Sequence, residues 1–400
     1  MDKLKNVPEI RFKGFDDEWI RVFVDEVCDV SNGNMDTQDA DASGIYPFFI
    51  RSEEVMKSNK YLYDEEAILT PGEGKIGEIF HYVNGKYAAH QRVYRLFNFS
   101  KCISPTFLIY TLKNSFKNHA LKNSSTATAP SIRKGTITDF CFKTCLLEEQ
   151  TQIGNFFKNI DEKLELEKEK HEKLKSFKKA MLEDMFPKEG EKVPKVRFEG
   201  FEDEWDYLQL SDLGEVSSSG VDKKFYPNEK TVHLLNYMDV YNKKQPSKDN
   251  IYEFMKTSAD EHKLLAKSVI KGDVFFTPTS ETSDDIGHSM AIYNTIDSLV
   301  YSYHLLRFRP FDNVLDVSFS NYFANIKPVR KQLITNCQGA QRMTLKLEEF
   351  EKLMVSLPSI EEQSLIGNFF KNLDEKIALS EKKIAKIENF KKAMLEKMFV

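Results

Sequence analysis

Residues 148–187 read EEQTQIGNFFKNIDEKLELEKEKHEKLKSFKKAMLEDMFP, and residues 361–400 read EEQSLIGNFFKNLDEKIALSEKKIAKIENFKKAMLEKMFV. The second segment is a near copy of the first, 213 residues later. In the second copy, steps of three and four connect Ile366, Phe370, Leu373, Ile377, Ser380, Ile384 and Ile387. The first copy gives Ile153, Phe157, Ile160 and Leu164, then Glu167 and His171, then Leu174. A 3.5-residue apolar period predicts a coiled-coil seam on a long helix. At about 1.5 Å per residue, each helix would run roughly 58 Å. Lys and Glu fill the other faces, so the two helices are expected to pack on each other, antiparallel. Glu167 and His171 would then form a polar layer near Ser380, of the kind that fixes register at some cost in stability.

A second, shorter repeat flanks the first. Residues 8–19 read PEIRFKGFDDEW and residues 194–205 read PKVRFEGFEDEW, an offset of 186, and they hold both tryptophans of the chain. The unit of short motif, variable region and long helix therefore occurs twice. The expected domains are a short segment 1–19 packing with the C-terminal repeat, a recognition domain 20–147, a central helix 148–187, a linker with the repeated motif 188–205, a second recognition domain 206–360, and a terminal helix 361–400. The second variable region is 27 residues longer. The two regions share few letters but a similar element order. Each has an apolar strand ending in Thr-Pro (67–71 and 274–278), a polar glycine turn, and further strands. A helical stretch comes next (near 104–121 and 316–326), then a polar loop and a last strand. Val7-Pro8 matches Val193-Pro194, so the N-terminus reads as the piece that would follow Val400. The fold class expected is α+β: two globular α/β domains joined by two long helices in an antiparallel coiled coil, with a circular pseudo-twofold repeat.

The bulk numbers fit a soluble protein: 400 residues, 41% apolar and 30% charged. No apolar run approaches the roughly 20 residues of a membrane helix. The opening MDKLKNVPEIRF lacks the apolar stretch of a secretory signal, so the expected location is the cytoplasm, without membrane contact. The five cysteines (28, 102, 141, 145 and 337) are scattered and odd in number, which argues against a disulfide framework. Cys141 and Cys145 fall in a strand-like DFCFKTCL and are read as small buried hydrophobes on one face. The formal net charge is −5, but it is unevenly spread. Residues 20–70 carry 11 acids against 4 bases, residues 71–147 carry 11 bases against 3 acids, and residues 327–346 carry five bases and no acid. A phosphate backbone responds to such local patches more than to the total.

Catalytic signatures fail on context. GEGKIG at 72–77 matches GxGxxG, but a dinucleotide site needs a helix next. The next residues, EIFHYVNGKYAAH, read instead as a strand, an Asn-Gly turn and another strand. Lys75 is followed by Ile76, which removes a phosphate-binding P-loop. His81, His90 and His304 stand singly, and neither HExxH nor Pro-Pro occurs. No metal or catalytic residue is assigned.

Two divergent regions separated and followed by matching helices resemble the specificity subunits of type I restriction–modification systems. The FxGFxxEW segments (12–19 and 198–205) and the EEQxxIGNFFKNxDEK segments (148–163 and 361–376) carry the resemblance. It implies that each variable region reads one half of an asymmetric, bipartite site in double-stranded DNA. It implies that the helices set the spacing between the halves. Two methyltransferase subunits would dock on the chain and methylate adenine N6 with S-adenosylmethionine, and motor-nuclease subunits would use ATP and Mg. The chain itself would hold no cofactor. An adenine methyltransferase would need an Asn/Asp-Pro-Pro-aromatic loop, which is absent here. The rival readings are a non-DNA adaptor with two binding heads on a stalk, and a stand-alone enzyme.

Base edges are read by Arg, Asn, Gln, Ser and Thr, and phosphates by Lys and Arg. In the first region the candidates are Lys75, His90, Gln91 and Arg92, with Ser124, Ser125, Thr126, Thr128, Arg133 and Lys134 in the loop 123–135. In the second they are Thr277, Thr279, Ser280 and Thr282, Tyr303 and His304, and the loop 336–346 with Gln338, Gly339, Gln341, Arg342 and Lys346. That last loop resembles the family's polar Gly/Gln loop before the final strand.

Overall fold

The computed structural model describes residues 6–124, 130–218 and 220–400. The two repeats form helices Leu147–Asp184, of 38 residues, and Ile360–Met398, of 39. Both open with paired acids, Glu148 and Glu149 or Glu361 and Glu362, where the helix dipole favours negative charge. Along the central helix, positions 153, 157, 160, 164, 167, 171 and 174 are withdrawn from solvent while most residues between them are exposed. The terminal helix shows the same at 366, 370, 373, 377, 380, 384 and 387.

The chain divides into two units. One joins Met1–Glu169 with Glu381–Val400, and the other is the unbroken run Lys170–Ser380. Each unit therefore holds the start of one long helix and the end of the other. Within each, the helix segments run in opposite directions. In the first unit Asp161 meets Lys391 and Glu167 meets Lys383. In the second Lys178 meets Asp374, and Phe177 lies edge-on to Phe369. His171 Nδ1 and Ser380 Oγ are buried without a hydrogen bond among the described residues.

The first unit is built on a six-stranded sheet. Its order is Asp29–Asn32, Val93–Phe97, Tyr63–Pro71, His81–Ala89, Tyr46–Phe49 and Val55–Ser58. Helix Pro105–Lys122 packs against it, started by Ser104 as cap and proline in the first turn. The second unit has a four-stranded sheet, Gly214–Ser217, Leu306–Pro310, Val274–Phe276 and Ser289–Ala291. A three-stranded sheet joins Met255–Ala259, Lys230–Leu235 and Leu299–Tyr301.

Both domains close at the neck in the same way. The first and last strands of each pair antiparallel: Ile20–Phe23 with Cys141–Thr144, and Asp206–Gln209 with Met354–Leu357. The ends of each inserted domain are thus held side by side next to its helix. Arg11 grips Glu149 with two bonds of 2.7 and 2.8 Å, and Arg197 grips Glu362 at the same two distances. Gln150 accepts from Ser104 N and donates to the carbonyls of Cys102 and Cys145, and Gln363 accepts from Asp316 N and donates to those of Val314 and Pro358. Trp19 packs on Phe107 and Phe399, as Trp205 packs on Phe319 and Phe186. Ile10 N bonds Lys397 O at 2.9 Å, and Val196 N bonds Asp184 O at 2.8 Å. The N-terminal segment thus sits on the end of the terminal helix as the internal motif sits on the end of the central one.

Four local expectations are corrected. Asn84-Gly85 makes no turn: His81–Ala89 is one strand, and both residues pair with Glu66 and Glu65 across a continuous ladder. The stretch 316–326 is a short helix, Val317–Ser320, and a 3-10 turn, Phe323–Asn325; a new helix, Lys327–Asn336, then starts where Pro328 favours a first turn. Lys134–Thr138, within the expected loop 123–135 and just beyond it, is helical. Cys141 is exposed rather than buried, because the neck ladder turns its alternate side chains outward, and Cys145 lies beyond the strand.

Candidate nucleic-acid interface

In the first domain, the Thr-Pro strand end leads into residues 72–77, held between two other loops. Gly72 N donates to Arg92 O at 2.9 Å, Ile132 N to Gly72 O at 2.9 Å, and Gly74 N to Pro130 O at 3.0 Å. A Cβ on Gly72 would lie 2.8 Å from the Tyr94 ring, and Gly74 has φ +81°. The glycines of GEGKIG thus serve close backbone approach and a left-handed turn, and the next element is a strand, not a helix.

Side chains from distant segments gather over this backbone. Glu73 forms ion pairs with Arg92 and, at 3.2 Å, with Arg51. Lys75 reaches Glu53 at 3.8 Å. Gln91 donates to Asp36 at 3.1 Å. His90 is buried, its Nδ1 accepting from Arg92 N at 3.0 Å. Burial, and then Arg51, lowers its pKa below the ordinary imidazole value, and the buried ring shapes the loop rather than projecting from it. Arg133 and Lys134 are exposed at the start of helix Lys134–Thr138. Ser124 bonds back to Leu121 O. Ser125, Thr126 and Thr128 lie outside the described residues.

In the second domain, residues 338–344 form a tight hairpin, with Gln338 and Thr344 exchanging backbone bonds of 2.9 and 2.8 Å. Gly339 has φ +139°, and a Cβ there would meet the Arg342 carbonyl carbon at 2.9 Å. Strand Met343–Thr344 pairs with Thr279–Ser280, and Arg342 Nη2 donates to Thr279 Oγ1 at 3.1 Å. The Tyr303 and His304 rings are 4.0 Å apart. Burial, then the charges of Lys223 and Arg342, lowers the His304 pKa below the ordinary imidazole value. Gln338, Gln341, Arg342, Lys346 and Thr282 are exposed. The fold therefore brings Thr279 and Arg342 together from two separate stretches.

The family model for the type I restriction modification DNA specificity domain matches residues 16–176 and again residues 202–389. The chain belongs to this family. The matched spans start and end at the same offsets as the two repeats. This chain is 28% identical to the EcoDI specificity subunit of Escherichia coli over 279 residues, 63% of this chain and 61% of that relative. It is 22% identical to the MjaVIII specificity subunit of Methanocaldococcus jannaschii over 387 residues, 89% of this chain and 86% of that one. The crystal structure of the type I restriction–modification S subunit from M. genitalium shares the fold, with TM-score 0.67 at 15% identity, over 98% of this chain and 99% of that one.

Besides buried His90, two candidates in the second domain are withdrawn from any ligand. Thr277 is fully buried, its Oγ1 accepting from His288 N at 3.0 Å. Ser280 is buried and bonds Thr282 O. Both hold the bend after the Thr-Pro strand. Part of the basic stretch is also paired within its own unit, the lysines at the surface. Lys327 and Lys331 pair with Glu183 and Glu189, and Arg330 bonds the carbonyls of Ile286 and Asp284. Arg342 and Lys346 remain of the five bases in 327–346. Glu73 and Asp36, which bond the candidates Arg92 and Gln91, and Arg51, which pairs with Glu73, are not among the candidates themselves. Arg51 lies 22 residues from Glu73 and in no motif, so only the folded sheet shows that the two meet.

Proposed function

We propose that this chain is the non-catalytic DNA reader of a type I restriction–modification complex. Each recognition domain contacts one half of a bipartite, asymmetric site in duplex DNA. Two methyltransferase subunits, holding S-adenosylmethionine, methylate adenine N6 where the chain directs them. Motor-nuclease subunits with ATP and Mg cleave unmodified DNA. The reading rests on one observation above the rest: within each of the two units the domain is tied to its own helix by the same bonds, yet the two domains expose different side chains in their loops. A doubled reader with two specificities needs that combination.

In the first domain Lys75, Gln91, Arg92, Arg133 and Lys134 are the contacts proposed. In the second they are Thr279, Thr282, Tyr303, His304, Gln338, Gln341, Arg342 and Lys346, with Gly339 allowing close approach. Sequencing methylated adenines in the host with and without this gene tests the reading. A bipartite motif that disappears with the gene supports it. An unchanged methylome sinks it and returns the chain to the adaptor class.

A further inference from the structure

An acidic residue in the middle of a DNA-facing loop is out of place on charge grounds alone. Glu73 sits in the glycine turn of the first domain, with an exposed arginine on either side. Its carboxylate is the more covered partner: side-chain exposure is 28% for Glu73, 50% for Arg51 and 55% for Arg92. The backbone supports the same geometry. Gly72 N bonds Arg92 O, and Glu73 bridges Ser131 in the neighbouring loop. Arg92 is therefore fixed at its main chain by Gly72 and at its guanidinium by Glu73. Its Nη1 faces the carboxylate, and the planar fork carries five N–H donors in all. A guanidinium held by one edge keeps another edge for a planar acceptor pair. Guanine offers such a pair, O6 and N7, in the major groove. Holding the fork in place beforehand lowers the ordering cost of binding.

We propose that Glu73, Arg51 and Arg92 form one reading unit, in which Glu73 positions the arginines and Arg92 reads a guanine in the half-site of the first domain. The negative charge that weighed against this loop is then its organising element. The proposal rests on the chain being a DNA reader and goes beyond it by naming the base and the residue that orients its reader. In the second domain Arg342 donates instead to the neutral Thr279 hydroxyl.

The test uses the complete complex of this chain with its methyltransferase subunits. Methylation rates are measured on duplexes in which every base pair of both half-sites is varied. Arg92→Ala should lower the rate on the cognate duplex about 5- to 150-fold and abolish discrimination at one G·C pair of one half-site. The other half-site should be read as before. Glu73→Gln should relax the same pair less strongly, and Glu73→Asp should fall between it and wild type. In an Arg92→Ala background, Glu73→Gln should not change discrimination at that pair any further, which a merely structural role would not produce. The proposal is overturned if that half-site contains no G·C pair, if Arg92→Ala lowers all sequences evenly, or if the two substitutions act additively. A gene-dependent bipartite motif with any of these results removes the reading unit alone. Absence of such a motif removes the DNA-reader account itself.

Discussion

The buried attachment of one unit is repeated in the other nearly bond for bond, whereas the exposed loops share almost nothing. Arg11–Glu149 and Arg197–Glu362 have the same distances, Tyr110 and Tyr322 each donate to an aspartate at 2.8 Å, and the Trp–Phe clusters correspond ring by ring. The loops hold their arginines by different means. The first domain fixes an arginine with a carboxylate, and the second fixes one with a threonine inside a hairpin. The difference separates two kinds of constraint. The neck buries charge and must satisfy it wherever it occurs, while the loop cluster is free to differ with what it contacts.

The comparison breaks first, and most heavily, at the neck. Glu149 and Glu362 have no exposed side-chain area, so Arg11→Ala or Arg197→Ala leaves a buried carboxylate without its partner. Each substitution should cost about 3–5 kcal/mol. One tryptophan lies in each unit, so denaturation followed by fluorescence, with the other tryptophan replaced by Phe, reports each unit separately. Equal losses in the two units are expected; a loss in one alone would show that the attachments are not equivalent.

A smaller effect should distinguish the two necks. Gly154 and Gly367 lie at matching places on the long helices, against the starts of other helices. A Cβ at Gly154 first meets the Thr106 hydroxyl, with Phe107 N at 2.9 Å, whereas at Gly367 it meets Phe319 N, with the Ser318 carbonyl carbon at 2.6 Å. Both Gly→Ala changes should destabilise by about 1–3 kcal/mol, from overpacking. Gly367→Ala should cost more, since backbone yields less than a side-chain hydroxyl. The reverse order in the same denaturation assay would contradict this.

At the loops the expected effects concern reading rather than folding. Arg342→Ala and Gln341→Ala should each weaken recognition of the second half-site by about 1–3 kcal/mol, seen as slower methylation of cognate duplex. Unchanged kinetics would take the hairpin out of the interface. Lys134→Ala should give the mildest change, weakening binding to every sequence alike and reducing the salt slope by about 1. A loss confined to one sequence would assign it to a base instead.

Legibility in the sequence divides along the same line. The seam from Ile153 to Leu174, and from Ile366 to Ile387, shows as period because burial recurs every three to four residues along one element. The doubled organisation was legible because Trp19, Trp205 and the IGNFF segments are local strings. Asn84-Gly85 misled because a local turn preference was overridden by a ladder that runs from Tyr63–Tyr87 to Leu69–His81. Thr277 was chosen for its hydroxyl, but nothing local reveals that His288 N already uses it. The Glu73 cluster joins residues 36, 51, 73, 91 and 92, and such convergence belongs to the sheet and not to any stretch of chain.

Two independent readers on matching necks must be exchangeable one at a time. The pairing of Asp206–Gln209 with Met354–Leu357 brings the ends of the second domain together, which makes it a replaceable module. The direct measurement is to exchange residues 206–360 for the corresponding region of another family member and sequence the adenines methylated by the resulting complex. One half of the bipartite motif should change while the other half keeps its sequence. A change in both halves, or in neither, would contradict the account.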